Sequence, residues 1–277
     1  MDKLEIYYAI MYLFVFLFGV CIGSFLNVCI YRLPLGESLI KQNSHCMTCG
    51  TPIRKRDLIP VISWCMLRGK CHSCGAKISP RYTVVELLNG VLYLLVFLHY
   101  DVSVHTSHSA IVALLFSALI VVFFMDWDTQ LINTYVVIFI ALLGVLNYVT
   151  YDRLYTDISL RSHIIGTFIV SVPLLIISLA SHERAMGMGD VYLMAAGGLF
   201  LGVQGILVAM LVALITGSVC GLILKYINGD SKFAFGPYLS IGIAAAALYS
   251  EQIGSWYMDV TGLNETLAEA SRLITLI

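Results

Sequence analysis

Long apolar runs, separated by short polar stretches, set the pattern of this chain. They fall near residues 6–28, 83–99, 109–125, 134–151, 163–180, 191–203, 205–225 and 238–250. Most approach the roughly 20 apolar residues that a membrane-crossing helix needs. The pattern predicts an all-α, polytopic membrane helix bundle of about eight spans. The sixth run is short, and residues 202–205 fit a tight turn to the seventh. Gly198 with Gly202, and Gly217 with Gly221, lie four apart and favour close helix contact. The chain beyond Glu251 is at first too polar to span, and Leu267–Ile277 reads as a short interfacial helix. No internal repeat or low-complexity tract is visible.

Composition supports a membrane chain: 59% of the 277 residues are hydrophobic and only 12% are charged. The net charge of -1 conceals an asymmetry. Between Arg32 and Arg81 lie nine of the 16 Lys and Arg residues, against two acids, Glu37 and Asp57. Short basic loops stay in the cytoplasm, which orients the chain with this loop inside. The first run lacks a basic region before it and a small-residue cleavage site, so it reads as an uncleaved first helix with its N-terminus outside. Alternation then puts Asp126-Trp127-Asp128, Ser181–Asp190 and Lys225–Pro237 on the loop's side.

Two carboxylates stand out. Asp126 closes the third run, after Phe123-Phe124-Met125, and Asp190 opens the sixth, in Gly187-Met188-Gly189-Asp190. Ionisable groups at membrane depth are costly and are functional candidates. Paired carboxylates share a proton, so one can activate water while the other polarises a carbonyl. That combination suggests a membrane aspartyl protease. Gly187 and Gly189 leave room for a substrate backbone. Asp128 rivals Asp126, but two residues turn a helix by about 200°, so only one easily faces Asp190. The structural alternative is that these aspartates merely end helices, with Asp190 an N-cap.

The basic loop carries Cys46-x2-Cys49 and Cys71-x2-Cys74, separated by 21 residues. The spacing is close to that of a zinc ribbon, and four thiolates suit tetrahedral Zn2+ in a closed structural site. A polar loop with little core of its own gains folding energy from a metal. Reduced thiols or disulfides are the alternatives, the latter disfavoured in a reducing compartment. His45 and His72 read as spectators, and Cys65 as a buried thiol outside the set. The basic residues face the lipid bilayer in this reading. Zinc ribbons also bind nucleic acid, but eight spans argue against a nucleic-acid partner.

These residues belong to an ordered set that resembles the type IV prepilin peptidases. The set opens with Gly23-Ser24-Phe25-Leu26-Asn27-Val28-Cys29-Ile30-Tyr31-Arg32-Leu33-Pro34 and continues through both C-x-x-C pairs, Ser63-Trp64 and Leu67-Arg68-Gly69-Lys70-Cys71. It then takes in Ser79-Pro80-Arg81-Tyr82 with Glu86, Phe124-Met125-Asp126, Gly187–Asp190 and Phe235-Gly236-Pro237. The resemblance implies a bacterial inner-membrane enzyme that cleaves the basic leader of prepilins and pseudopilins after a glycine. It also implies methylation of the new N-terminus by S-adenosylmethionine. By resemblance, Asp126 and Asp190 are catalytic, Cys46, Cys49, Cys71 and Cys74 hold zinc, and Gly69 and Lys70 serve methyl transfer. The chain then divides into a first helix (1–31), a methyltransferase-associated Cys loop (32–82), a peptidase core (83–250) and a tail (251–277).

Three positions depart from the family pattern: Asn133 and Ala234, where proline is common, and Ser44, where an acid is common. The Ser44 departure bears on methylation more than on cleavage. Glu86 would orient a basic leader or, as the preferred reading, pair with Arg81 or Arg32. Two rival functions are a proton-coupled transporter, for which the mid-span positions offer too little charge, and a non-enzymatic anchor whose zinc loop recruits a partner.

Overall fold

The computed structural model describes residues 3–41, 43–100, 102–156, 158–184, 186–228 and 234–261. The proposed interfacial helix at Leu267–Ile277 lies outside them. Among the described residues the chain is helical apart from turns and two isolated β-bridges, and it divides into compact units Met1–Tyr155 and Thr156–Ile277. Six helical stretches among the described residues are long and apolar enough to cross a membrane.

In the first unit, α1 (Lys3–Arg32) has 30 residues, about 45 Å of helix, more than a bilayer core requires. Its buried residues Gly19 and Gly23 face α3 (Arg81–His99). Asn89 of α3 donates to the Gly19 carbonyl at 2.7 Å and accepts from Ser117 of α4 (Val102–Thr129) at 2.9 Å. Such buried amide and hydroxyl links hold helices together where lipid gives no hydrophobic drive.

α4 is the enclosed element. Its apolar window is 78% buried, against 28–33% for the other spans, whose exposed Leu, Ile and Phe are suited to lipid. Asn133 caps α5 (Thr134–Asn147), accepting from the Tyr135 N–H and donating to the Leu33 carbonyl. A polar cap therefore stands at this departure from the family's proline. The helix runs on through a π turn, Tyr148–Asp152, into α6 (Arg153–Tyr155). Beneath that turn lies a buried polar chain, in which His108 Nδ1 is 2.7 Å from Asn147 Oδ1, and Asn147 donates to Asp152. His108 and Asp152 are thus buried helical residues.

Between α1 and α3 the chain forms a compact loop with a 3-10 turn (Lys55–Leu58) and α2 (Ile62–Met66). Here the two cysteine segments form a short repeat, correcting the expectation of none. The Cys46 and Cys71 N–H groups donate to Thr51 and Ala76, those of Gly50 and Gly75 donate back to Cys46 and Cys71, and those of Ile53 and Ile78 donate to Ser44 and Gly69. The β-bridges His45–Pro52 and Lys70–Lys77 close the two turns alike. The repeat lies in backbone bonding and in a shared Cys-x-x-Cys-Gly-x-x-Ile pattern at residues 46–53 and 71–78.

In the second unit, the expected span 163–180 is two helices, α7 (Leu160–Ile169) and α8 (Ser171–Ala180). The break precedes Pro173, which has no N–H to continue the ladder. The expected sixth and seventh runs form one element, α9 (Met188–Asn228), interrupted at Gly202 with φ 71° and ψ -173°. That conformation is essentially restricted to glycine. Ser162 of α7 accepts the Val203 N–H at 3.1 Å and so caps the second arm. Gly198 and Gly202 both meet the Gly166 backbone in close contact, as their spacing predicts, and Gly202 is also the break. The eighth run lies in α10 (Gly236–Val260), which is not among the six apolar spans; Pro237 occupies its first turn. Helix continues through residues 251–260, past a non-helical Tyr249.

Candidate metal centre and active-site residues

The two turns bring the four sulfurs of Cys46, Cys49, Cys71 and Cys74 within 4.8 Å of one another. Cys46 Sγ is 3.8 Å from Cys74 Sγ. Tetrahedral bonds of about 2.3 Å to zinc require sulfur separations of about 3.8 Å. All eight cysteines are free, and this cluster can hold a metal ion.

Local electrostatics favour thiolates at three ligands. N–H groups of Cys49 and Thr48 lower the Cys46 pKa, those of Cys74 and Ser73 lower Cys71, and the Thr51 hydroxyl and N–H lower Cys49. At Cys74 the Ala76 N–H pulls downward, but desolvation and the other three sulfurs win, raising it to about 11. Four crowded sulfurs resist sharing a fourth negative charge, which a divalent cation would relieve. His45 and His72 lie outside the cluster. Cys65 is exposed, correcting the expectation of a buried thiol, because it sits on the outer side of short α2.

Gly69 has φ 66°, and a Cβ there would lie 2.9 Å from the Trp64 ring. Trp64 in turn donates to the Ile78 carbonyl at 3.2 Å. Gly69 therefore seats α2 against the second cysteine turn, and neighbouring Lys70 is exposed.

Glu86 corrects the expected ion pair. Its Oε2 accepts the Val61 N–H at 2.7 Å, while Arg81 pairs elsewhere. Val61 has φ 61°, a rare conformation for a β-branched residue. A buried carboxylate from α3 thus holds a strained residue of the loop. Sequence reasoning noted the costly acid but could not foresee a backbone N–H as its partner.

Arg81 binds both oxygens of Asp128, at 2.8 and 2.7 Å, and its guanidinium lies over the Phe124 ring at 4.7 Å. This bonding places the end of α4 beside the start of α3, and hence at the loop end of the first unit. Asp126, on the opposite side of the helix from Asp128, is 5% exposed. The rotation expected between the two aspartates is present, with Asp128 on the half-exposed side.

In the second unit Asp190 is 8% exposed and is the third residue of α9, in its first turn rather than at its N-cap. Its N–H donates to the Gly187 carbonyl at 3.2 Å. Gly187 is exposed, and the nearest atom to a Cβ built on it is 4.0 Å away. Gly189 sits in the same helical turn as Asp190. Ser178 of α8, fully buried, donates to the Met186 carbonyl at 2.9 Å and secures the approach to this turn. No motif marked that serine in advance.

Two family models match successive parts of the chain. The bacterial peptidase A24 N-terminal domain matches residues 17–100, and the type IV leader peptidase family matches residues 113–222. The chain is 32% identical over 247 residues to a prepilin leader peptidase/N-methyltransferase of Neisseria gonorrhoeae, covering 80% of this chain and 85% of that protein. It is 33% identical over 276 residues to the protein of the same name in Dichelobacter nodosus, covering 88% and 93%. A type 4 prepilin-like proteins leader peptide-processing enzyme of Escherichia coli O78:H11 is 34% identical over 262 residues, covering 85% and 92%. No solved structure matches.

Proposed function

The chain belongs to the type IV leader peptidase family, and on that premise we propose that it is a membrane aspartyl endopeptidase for prepilins and pseudopilins. It cleaves their leader after glycine and then methylates the new N-terminal amine. The carrying observation is the contrast within α4: Asp126 is buried, while Asp128 is committed to Arg81. Asp126 and Asp190 form the catalytic pair. The ionised carboxylate takes a proton from water, and the protonated one donates to the scissile carbonyl. Asp190, at a helix start, is the better candidate for the ionised member. Gly187 and Gly189 let the extended glycine junction of the substrate approach.

The enzyme resides in the bacterial inner membrane, with the Cys loop and both aspartates on the cytoplasmic side. A prepilin presents a basic leader followed by an apolar helix, so its cleavage junction lies at that interface. Zinc on Cys46, Cys49, Cys71 and Cys74 is structural, since four thiolates close its coordination. S-adenosylmethionine supplies an electrophilic methyl group when bound. Gly69 and Lys70 lie in the methyl-transfer region of the loop.

Cleavage of a prepilin by the purified protein tests this reading. Wild type and Asp128→Asn are expected to remove the leader, while Asp126→Asn and Asp190→Asn lose at least about a hundredfold in rate. Cleavage that survives in either of the latter two would overturn the pair.

A further inference from the structure

The segment Ser79-Pro80-Arg81-Tyr82 belongs neither to the metal centre nor to the carboxylate pair. Its arginine nonetheless reaches across to the end of α4. Arg81 Nη1 and Nη2 donate to the two oxygens of Asp128 at 2.8 and 2.7 Å. Nη2 also donates to the Phe124 carbonyl at 3.3 Å, and the guanidinium lies 4.7 Å from the centre of the Phe124 ring. Phe124 and Asp128 are four residues apart and share one side of the helix. Asp126 sits between them on the other side, 5% exposed. One side chain therefore holds the turn that carries Asp126.

The base from which Arg81 reaches is itself fixed. Its N–H donates to Ser79 Oγ at 3.3 Å, and Asn27 of α1 donates to the Tyr82 carbonyl at 3.0 Å. The end of α4, by contrast, needs an external hold. Its backbone ladder closes with the Gln130 N–H on the Asp126 carbonyl at 2.9 Å, and Gln130 stands at φ 55°. Terminal turns fray, and a carboxylate at this end of a helix opposes its dipole. Asp128 alone therefore does nothing to steady the turn. A guanidinium offsets that charge, and its rigid fork fixes direction as well as distance. The two side chains are 38% and 37% exposed, and exposed pairs contribute little to folding. What this fork supplies is geometry rather than stability.

We propose that Arg81 is a positioning residue for peptide cleavage: its hold on Asp128 and Phe124 sets the rotation of the last turn of α4 and so aims the Asp126 carboxylate. This deepens the endopeptidase reading above and rests on it. Arg81 acts through Asp126. A turn free to rotate or fray points that carboxylate in many directions, and a misplacement of about 1 Å costs about a hundredfold in rate. Binding of the substrate in its ground state does not depend on that aim, so the loss falls on kcat and not on KM.

Steady-state cleavage of a prepilin by the full-length, metal-loaded protein in detergent tests the role, with zinc content and thermal midpoint read on every variant. Arg81→Gln should lower kcat about 10- to 100-fold and leave KM within about twofold. Arg81→Lys keeps the charge without the fork and should recover part of the rate. Asp128→Ala removes the same hold from the other side and should match Arg81→Gln, so it carries the test if Arg81→Gln folds poorly. Asp128→Asn keeps an acceptor for the guanidinium and should still remove the leader. Amide exchange at residues 126–130 should quicken in Arg81→Gln, while the middle of α4 stays slow. Wild-type kcat in Arg81→Gln or Asp128→Ala would overturn the proposal. So would a kcat that falls, in both variants, only in step with zinc content or midpoint, because that marks a general defect of folding. Asp126→Asn, run alongside, separates the two failures. If it cleaves normally, the carboxylate pair falls; if it is inactive while Arg81→Gln is not, only the positioning role falls.

Discussion

Glu86 shows how much a single partner matters. The acid is conspicuous in the sequence because it lies one turn into an apolar helix, where a charge is costly. What compensates it is a backbone N–H across the loop, at Val61, held at φ 61°. Hydrogen bonds to charged groups are worth about 1.5–3 kcal/mol. Glu86→Ala should therefore cost about that much and release the loop locally. Amide exchange around residues 60–64 should quicken, while exchange in the middle of α3 stays slow; unchanged exchange at Val61 would mean the bond is incidental. Gly69 carries the same lesson for the loop region proposed to serve methyl transfer. A positive φ and the indole beside it already demand glycine, so a Gly69 variant would report on loop geometry before it reported on chemistry.

At the scale of elements, breaks decide more than propensities. Apolar periodicity located the runs well, because lipid-facing helices need continuous hydrophobic sequence. It could not distinguish one bent helix from two. At α9 the ladder stops at Gly202, and Ser162, forty-odd residues earlier in the chain, supplies the cap. Gly202→Ala should cost about 2–3 kcal/mol, since alanine cannot relax at φ 71° and its Cβ would lie 3.0 Å from Ser162 Oγ. The thermal midpoint in detergent should fall by several degrees. An unchanged midpoint would show that the break can move along the helix.

For the whole molecule, the first unit joins two unlike kinds of stability. Its helices are held by apolar burial and by links such as Asn89 to Gly19. Its loop is held by backbone turns around four sulfurs. A structural zinc site contributes on the order of 10 kcal/mol or more to folding. Elemental analysis should find about one zinc per chain, falling when Cys46 and Cys49 are changed to serine. A strong chelator should unfold the loop with little loss of helix signal, because most helical residues lie outside it. Carefully prepared protein without metal would remove the zinc model.

The sequence by itself determined the membrane class, the approximate runs, the family and the chemically important residue types. Those depend on composition, spacing and order along the chain, and all three survive without coordinates. Asp126 and Asp128 were separable in principle from helical rotation alone, and their unequal burial follows that rotation. Tertiary structure decided which acids have which partners: Asp128 with Arg81, and Glu86 with Val61. It also gave the two cysteine turns the same backbone bonding, exposed Cys65 and buried the Thr83 hydroxyl without a hydrogen-bond partner. Hydrogen bonds act over about 3 Å between groups far apart in sequence, so only the folded chain can assign them.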